Sequence, residues 1–84
     1  MEIEFTKSAY KDYQWWEKRD PKKFERIKKL CRDVLKRPFT GIGKPEPLKF
    51  GLQGCWSRRI DKANRLVYLV SGDKIKVISC CYHY

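Results

Sequence analysis

The sequence predicts an α+β domain: two N-terminal helices packed on a mainly antiparallel, twisted sheet of about five strands, in the order β-α-α-β-β-β-β. Three observations predict it. Two stretches in the first half repeat their apolar residues at helical spacing behind good capping residues. Three later runs, rich in aromatic and β-branched residues, are separated by short polar turns, which favours antiparallel neighbours. The 84 residues, 42% of them hydrophobic, suffice for one modest core. Residues 1–84 therefore read as a single domain, with no composition shift, internal repeat or low-complexity segment.

Met1–Phe5 alternates Glu2 and Glu4 with Ile3 and Phe5, the pattern of a short half-buried strand. Thr6 or Ser8 can cap a helix running to about Lys18. Its apolar positions Ala9, Tyr13 and Trp16 recur at helical spacing, flanked by Tyr10, Trp15 and Glu17, so these aromatics read as core. Asp20-Pro21 starts a second helix, a capping carboxylate followed by proline where no backbone donor is needed. Phe24, Ile27, Cys31, Val34 and Leu35 give its buried stripe. Lys22, Lys23, Arg26, Lys29 and Arg32 read as a solvated face, with phosphate contact a secondary role. Arg37–Pro47, RPFTGIGKPEP, breaks all periodicity and reads as a loop. Leu48–Phe50 reads as a short strand. After the turn Ser71–Asp73, Lys74–Tyr82 reads as the last strand, with Ile75, Val77 and Ser79 alternating against Lys76, Ile78 and Cys80.

Between these lies a basic hairpin, Gly54–Val70, with a polar turn at Asp61–Asn64. Alternation puts Trp56, Arg58 and Ile60 on one face and Ser57, Arg59 and Asp61 on the other. If Ile60 and Leu66 face the core, Arg59 and Arg65 emerge together on the opposite face. Two planar, permanently charged guanidiniums there suit a phosphate. A hairpin with these features alone would read as a solvated basic edge that deters aggregation.

The net charge of +10 points to an anionic partner, nucleic acid or an acidic protein. No apolar run is long enough to span a bilayer. Cations interleave with aromatics along the chain instead of lining one amphipathic helix, which argues against a membrane surface. The first ten residues carry no signal-peptide hydrophobic region. Cys31, Cys55, Cys80 and Cys81 include no CxxC pair, and the single histidine cannot complete the usual zinc spacings. Free thiols in a reducing cytoplasm, and no bound metal, are the expectation.

Glu46 stands between Pro45 and Pro47, which hold it on a stiff, extended backbone with Lys44 and Lys49 nearby. An isolated glutamate there usually makes a surface ion pair, yet a carboxylate among cations stays ionised and can act as a base. His83, the one histidine, suits a general acid near neutral pH. Tyr82 and Tyr84 beside it can stack on bases or simply pack at the core's edge. The pair His83-Tyr84 follows the final apolar strand position, so little core packing is expected to depend on it. Together Glu46, Arg59, Arg65 and His83 supply what RNA cleavage at a 2′-hydroxyl requires, without a metal or other cofactor. A base takes the 2′-OH proton, cations stabilise the pentavalent phosphate, and an acid protonates the departing 5′ oxygen.

The stretches GKPEPLK (Gly43–Lys49), WSRRI (Trp56–Ile60), RLVY (Arg65–Tyr68) and the terminal YHY (Tyr82–Tyr84) resemble the YoeB toxins of the RelE superfamily, over essentially the whole chain. The resemblance implies a ribosome-dependent mRNA endonuclease, the toxin of a type II toxin–antitoxin pair that is neutralised by a YefM-like antitoxin. It implies Glu46 as general base, His83 as general acid and Arg65 as the arginine that stabilises the transition state. Lys49, Arg59 and Tyr84 match its substrate-site positions. A homodimer enters by the same analogy. The thiols Cys55, Cys80 and Cys81 beside these motifs are unexpected but remove no catalytic group. The rival reading is a basic module that binds RNA or an acidic peptide without cleaving. It explains the charge but not a proline-fixed glutamate and a terminal histidine in one short domain.

Overall fold

Both helices begin where their capping residues stand. In the computed structural model, which describes residues 1–49, 51–52 and 54–81, β1 (Glu2–Phe5) leads into α1 (Lys7–Arg19). The Thr6 hydroxyl accepts from the Ala9 amide at 3.1 Å and donates to the Ile78 carbonyl at 3.3 Å, so the cap also ties the helix to the sheet. The Asp20 carboxylate accepts from the Lys23 amide at 3.3 Å and starts α2 (Pro21–Lys36), with Pro21 in its first turn. Basic residues occupy the last turn of each helix, Lys18 and Arg19 in α1 and Lys36 in α2, where the macrodipole favours them.

The sheet is completed by β2 (Glu46–Pro47), β3 (Cys55–Arg59), β4 (Arg65–Ser71) and β5 (Lys74–Ser79), in the spatial order β1-β5-β4-β3-β2. Three neighbouring pairs are antiparallel. β1 lies parallel to β5, with Ile3 opposite Ile75 and Phe5 opposite Val77, so the sheet is mixed but mainly antiparallel. Both helices pack on the face that carries Ile60, Leu66, Tyr68, Ile75 and Val77. Ala9, Trp16, Ile27, Leu30, Cys31 and Val34 close the core from the helical side. The stripe expected on α2 holds, with Leu30 added and Phe24 and Leu35 only partly buried. The indole nitrogen of Trp16 donates to the Cys80 carbonyl at 2.7 Å, which gives the polar end of a buried aromatic its partner.

Two strand boundaries differ from the sequence reading. The edge strand is Glu46–Pro47, inside the stretch read as loop. Leu48 and Lys49 are not in a strand, and Phe50 lies outside the described residues. Proline is tolerated there because β2 is an edge with pairing on one side only. The last strand ends at Ser79 instead of Tyr82, and a bulge interrupts it: Tyr68 pairs with Val77 but Val67 with Ser79, leaving Ile78 as the extra residue. The bulge reverses the expected alternation, so Ser79 leaves the face of Val77 and Cys80 turns into the core. Cys31, Cys55 and Cys80 are buried, Cys81 is half-buried, and all four are free thiols. Among the described residues no helix is long and apolar enough to cross a membrane.

Candidate active site

The hairpin alternates as the sequence predicts. Arg59 pairs with Arg65 across β3 and β4, and Ser57 with Val67, on the face away from the helices. The turn between the strands is local. One Asp61 oxygen accepts from the Ala63 amide at 2.8 Å and the Asn64 amide at 2.7 Å. Burial raises the Asp61 pKa, but these backbone donors, the Asn64 amide group and Lys23 outweigh it and hold the carboxyl below its usual range. Lys23 reaches it at 3.4 Å. Part of the basic face of α2 is thus docked on the hairpin and is not simply solvated.

On the far side of β3, Glu46 pairs with Ser57. This register brings Glu46 to Arg65, whose Nη1 donates to the Glu46 carboxylate and, at 3.1 Å, to Ser57 Oγ. Ser57 is fully buried. The Arg65 side chain is 18% exposed and that of Glu46 53%, so the guanidinium is held from below while the carboxylate faces solvent. Arg59 and Lys49 are exposed cations on the flanking segments. Of the six residues singled out in the sequence, the structure brings Glu46 and Arg65 into contact and sets Arg59 beside Arg65. Lys49 follows β2 by two residues. His83 and Tyr84 lie outside the described residues.

The loop before Glu46 is pressed against the body of the domain. Gly43 has φ +80°, and a Cβ there would come within 2.8 Å of Leu30 Cδ2 and 3.1 Å of Arg58 Cβ. Its carbonyl accepts from the Arg59 amide at 2.7 Å. Gly41, at φ +115°, lies against Asp33, and a Cβ there would overlap the carboxylate. At both positions only glycine combines the backbone conformation with the close approach.

Beneath this loop sits a polar cluster that the sequence reading did not single out. Arg58 is fully buried. Its Nη1 donates to Asp33 Oδ2 at 2.6 Å and to the Ile42 carbonyl at 3.1 Å. Its Nη2 donates to the carbonyls of Thr40, at 2.8 Å, and Arg37. Its Nε donates to the Tyr68 hydroxyl at 3.1 Å, which in turn donates to the Pro38 carbonyl at 2.7 Å. The hydrogen bond from Arg37, with those from Arg58 and the Ile42 amide, holds the Asp33 carboxyl well below the usual range despite its burial. Burial pushes the Tyr68 hydroxyl up, against the opposing pull of Arg58. A signal was present in the sequence. Asp33 stands between Leu30 and Val34 in the apolar stripe, Arg58 shares a face with Ile60, and a buried charge requires a partner.

Residues 5–84 match the family of YoeB-like toxins of bacterial type II toxin–antitoxin systems. The chain belongs to that family. It is 46% identical to the toxin YoeB of Synechocystis over 84 residues, all of this chain and 98% of the relative. The solved YoeB/ParE toxin from Agrobacterium tumefaciens superposes with a TM-score of 0.96 at 44% identity, with both chains covered completely. A YoeB from Staphylococcus aureus, solved in a complex with YefM, gives a TM-score of 0.90 at 41% identity over 98% of this chain and 95% of that one. The Staphylococcus aureus toxin has also been solved as a dimer, with a TM-score of 0.93. Two helices on a five-stranded mixed sheet are therefore the architecture of these YoeB toxins, and this chain is a toxin of the same type.

Proposed function

We propose that this toxin is a ribosome-dependent mRNA endonuclease that inhibits translation by metal-independent acid–base cleavage at an RNA 2′-hydroxyl. The observation that carries the reading is the contact between the solvent-facing Glu46 carboxylate and the Arg65 guanidinium, with Arg59 beside it. In this mechanism Glu46 removes the 2′-OH proton, and the 2′ oxygen attacks the adjacent phosphorus. Arg65, steadied by Ser57, binds the non-bridging oxygens as charge accumulates on them. The bond from phosphorus to the 5′ oxygen breaks, and His83 supplies the proton that the leaving oxygen takes. The products are a 2′,3′-cyclic phosphate and a 5′-hydroxyl. Lys49 and Arg59 hold flanking phosphates, and Tyr84 stacks on a base.

A YefM-like antitoxin is the proposed partner, as in the Staphylococcus aureus complex, and a homodimer is the proposed assembly, as in that relative's dimer. The cytoplasm, where ribosomes and reduced thiols coexist, is the proposed compartment. The test is single-turnover cleavage of an mRNA with and without ribosomes. Glu46→Gln and His83→Gln should each slow cleavage by about 10²-fold or more. Arg65→Lys should impair it through loss of the planar fork. A 2′-deoxy substitution at the cut site should abolish it. Cleavage at the parental rate by all three variants, or of the deoxy substrate, would overturn the reading. Tight RNA binding with no cleavage would favour a plain binding module.

A further inference from the structure

We infer that the buried cluster of Asp33, Arg58 and Tyr68 positions the Glu46 carboxylate, and that it acts on cleavage only through Glu46. The inference rests on Glu46 being the base. All five N–H donors of Arg58 are engaged, and three of their acceptors are carbonyls of the preceding loop, at Arg37, Thr40 and Ile42. Tyr68 takes a fourth, that of Pro38. Asp33 holds the amide of Ile42 at 3.0 Å. Four carbonyls, those of Arg37, Pro38, Thr40 and Ile42, and the Ile42 amide are thus tied to three side chains.

Glu46 follows four residues later, set between Pro45 and Pro47 with its carboxylate on Arg65. β2 is only two residues long. Apart from that short ladder, the backbone between Ile42 and Glu46 is held by the Gly43 carbonyl on the Arg59 amide at 2.7 Å. The cluster therefore fixes one end of the segment and the β2–β3 pairing fixes the other. A displacement of the carboxylate by about 1 Å is enough to slow a proton transfer by about 10²-fold. Neither Asp33 nor Tyr68 contacts Arg65 in this arrangement, so they are positioning residues, and their effect should vanish when there is no base to position.

That expectation defines the experiment. Tyr68→Phe keeps the ring but removes the acceptor for Arg58 Nε and the donor to Pro38. It is combined with Glu46→Gln in a double-mutant cycle read by single-turnover cleavage on saturating ribosome–mRNA complex, at a temperature where circular dichroism shows every variant folded. Tyr68→Phe alone should slow cleavage about tenfold with little change in half-saturation. In the Glu46→Gln background the same substitution should change the rate by less than about twofold. Arg37→Gln withdraws only the exposed partner of Asp33 and is the gentler second perturbation. It should show the same dependence on Glu46 with a smaller loss, and it decides the question if Tyr68→Phe does not fold. An equal fractional loss in both backgrounds, or no loss from either substitution, would overturn the positioning role and leave the base assignment intact. Parental cleavage by Glu46→Gln alone would instead remove the base assignment itself.

Discussion

Replacing Arg58 by methionine should be among the most destabilising single changes this domain can suffer. Methionine fills much of the volume of the aliphatic stem but supplies none of the five donors. Asp33, whose side chain is 9% exposed, would then keep only Arg37, the Ile42 amide and whatever water reaches it. Removing one partner of a buried ion pair costs about 3–5 kcal/mol. The abandoned carbonyls lie in a surface loop that can partly rehydrate, so the lower half of that range is the better expectation. An 84-residue domain has about 4–13 kcal/mol in all. The loss therefore consumes a large fraction of the total and should lower Tm by roughly 12–30 °C. Urea unfolding should show a lower midpoint at an unchanged slope. Pairing the change with Asp33→Leu removes the stranded charge and should recover part of the loss, which a double-mutant cycle reads as coupling. A loss below about 1 kcal/mol, the scale of an exposed ion pair, or simple additivity of the two changes, would refute the account of a buried and coupled pair.

Acid should unfold the protein partly through Asp33. Its folded-state pKa lies below the ordinary value of about 3.9, so its stabilisation is complete above that pH and is lost as pH falls towards the folded value. Urea midpoints measured from pH 7 down to pH 2 should fall more shallowly for Asp33→Asn, and parallel curves would refute this. The core thiols should be inert in the native state, because burial pushes Cys31 up to about 12 and Cys80 higher still. Mass spectrometry after mild alkylation should find Cys81 labelled first, with the other three following only on unfolding. Binding of the toxin to single-stranded RNA should weaken with salt, and Arg59→Ala should reduce the log–log slope by about 0.7. An unchanged slope would mean that Arg59 touches no phosphate.

Much of this architecture was legible because its signals are local. Thr6 and Asp20 cap as expected, the stripe of α2 faces the core, and Asp61 closes its own turn through hydrogen bonds within three residues. What was not legible depends on distant partners. Nothing in Glu2–Phe5 specifies a parallel neighbour seventy residues away. The two-residue strand at Glu46–Pro47 exists because β3 offers it an edge, and no propensity scale would put a strand on two residues of which one is proline and the other follows one. The bulge at Ile78 interrupts a run whose alternation looks continuous, and it is why Cys80 joins the core, its thiol on the Ala9 carbonyl, instead of sharing a face with Lys76 and Ile78. For the candidate site, the Glu46–Arg65 contact follows from the hairpin's parity once β2 is in register, whereas His83 and Tyr84 stand on their sequence motif alone.

The neighbours Arg58 and Arg59 show how far a single step of parity reaches. Identical in chemistry, they lie on opposite faces of β3, one sealed in the core and the other open to solvent. Apolar residues at 58 and 33 together would spare the domain the desolvation of two charges, and well-packed apolar replacements of whole buried ion pairs are often as stable as the originals. Stability alone is therefore a weak reason for an arginine there. What an apolar side chain cannot do is hold the loop backbone. Three carbonyls and a hydroxyl converge on Arg58 from different directions, and only a planar fork with five donors meets them together with a carboxylate. Lysine, with three donors on a point charge, could meet at most three of those five groups. The loop held in this way is the one that ends at Glu46, so the residue that gives this core its largest polar burden is also the one through which the fold shapes its solvent-facing site.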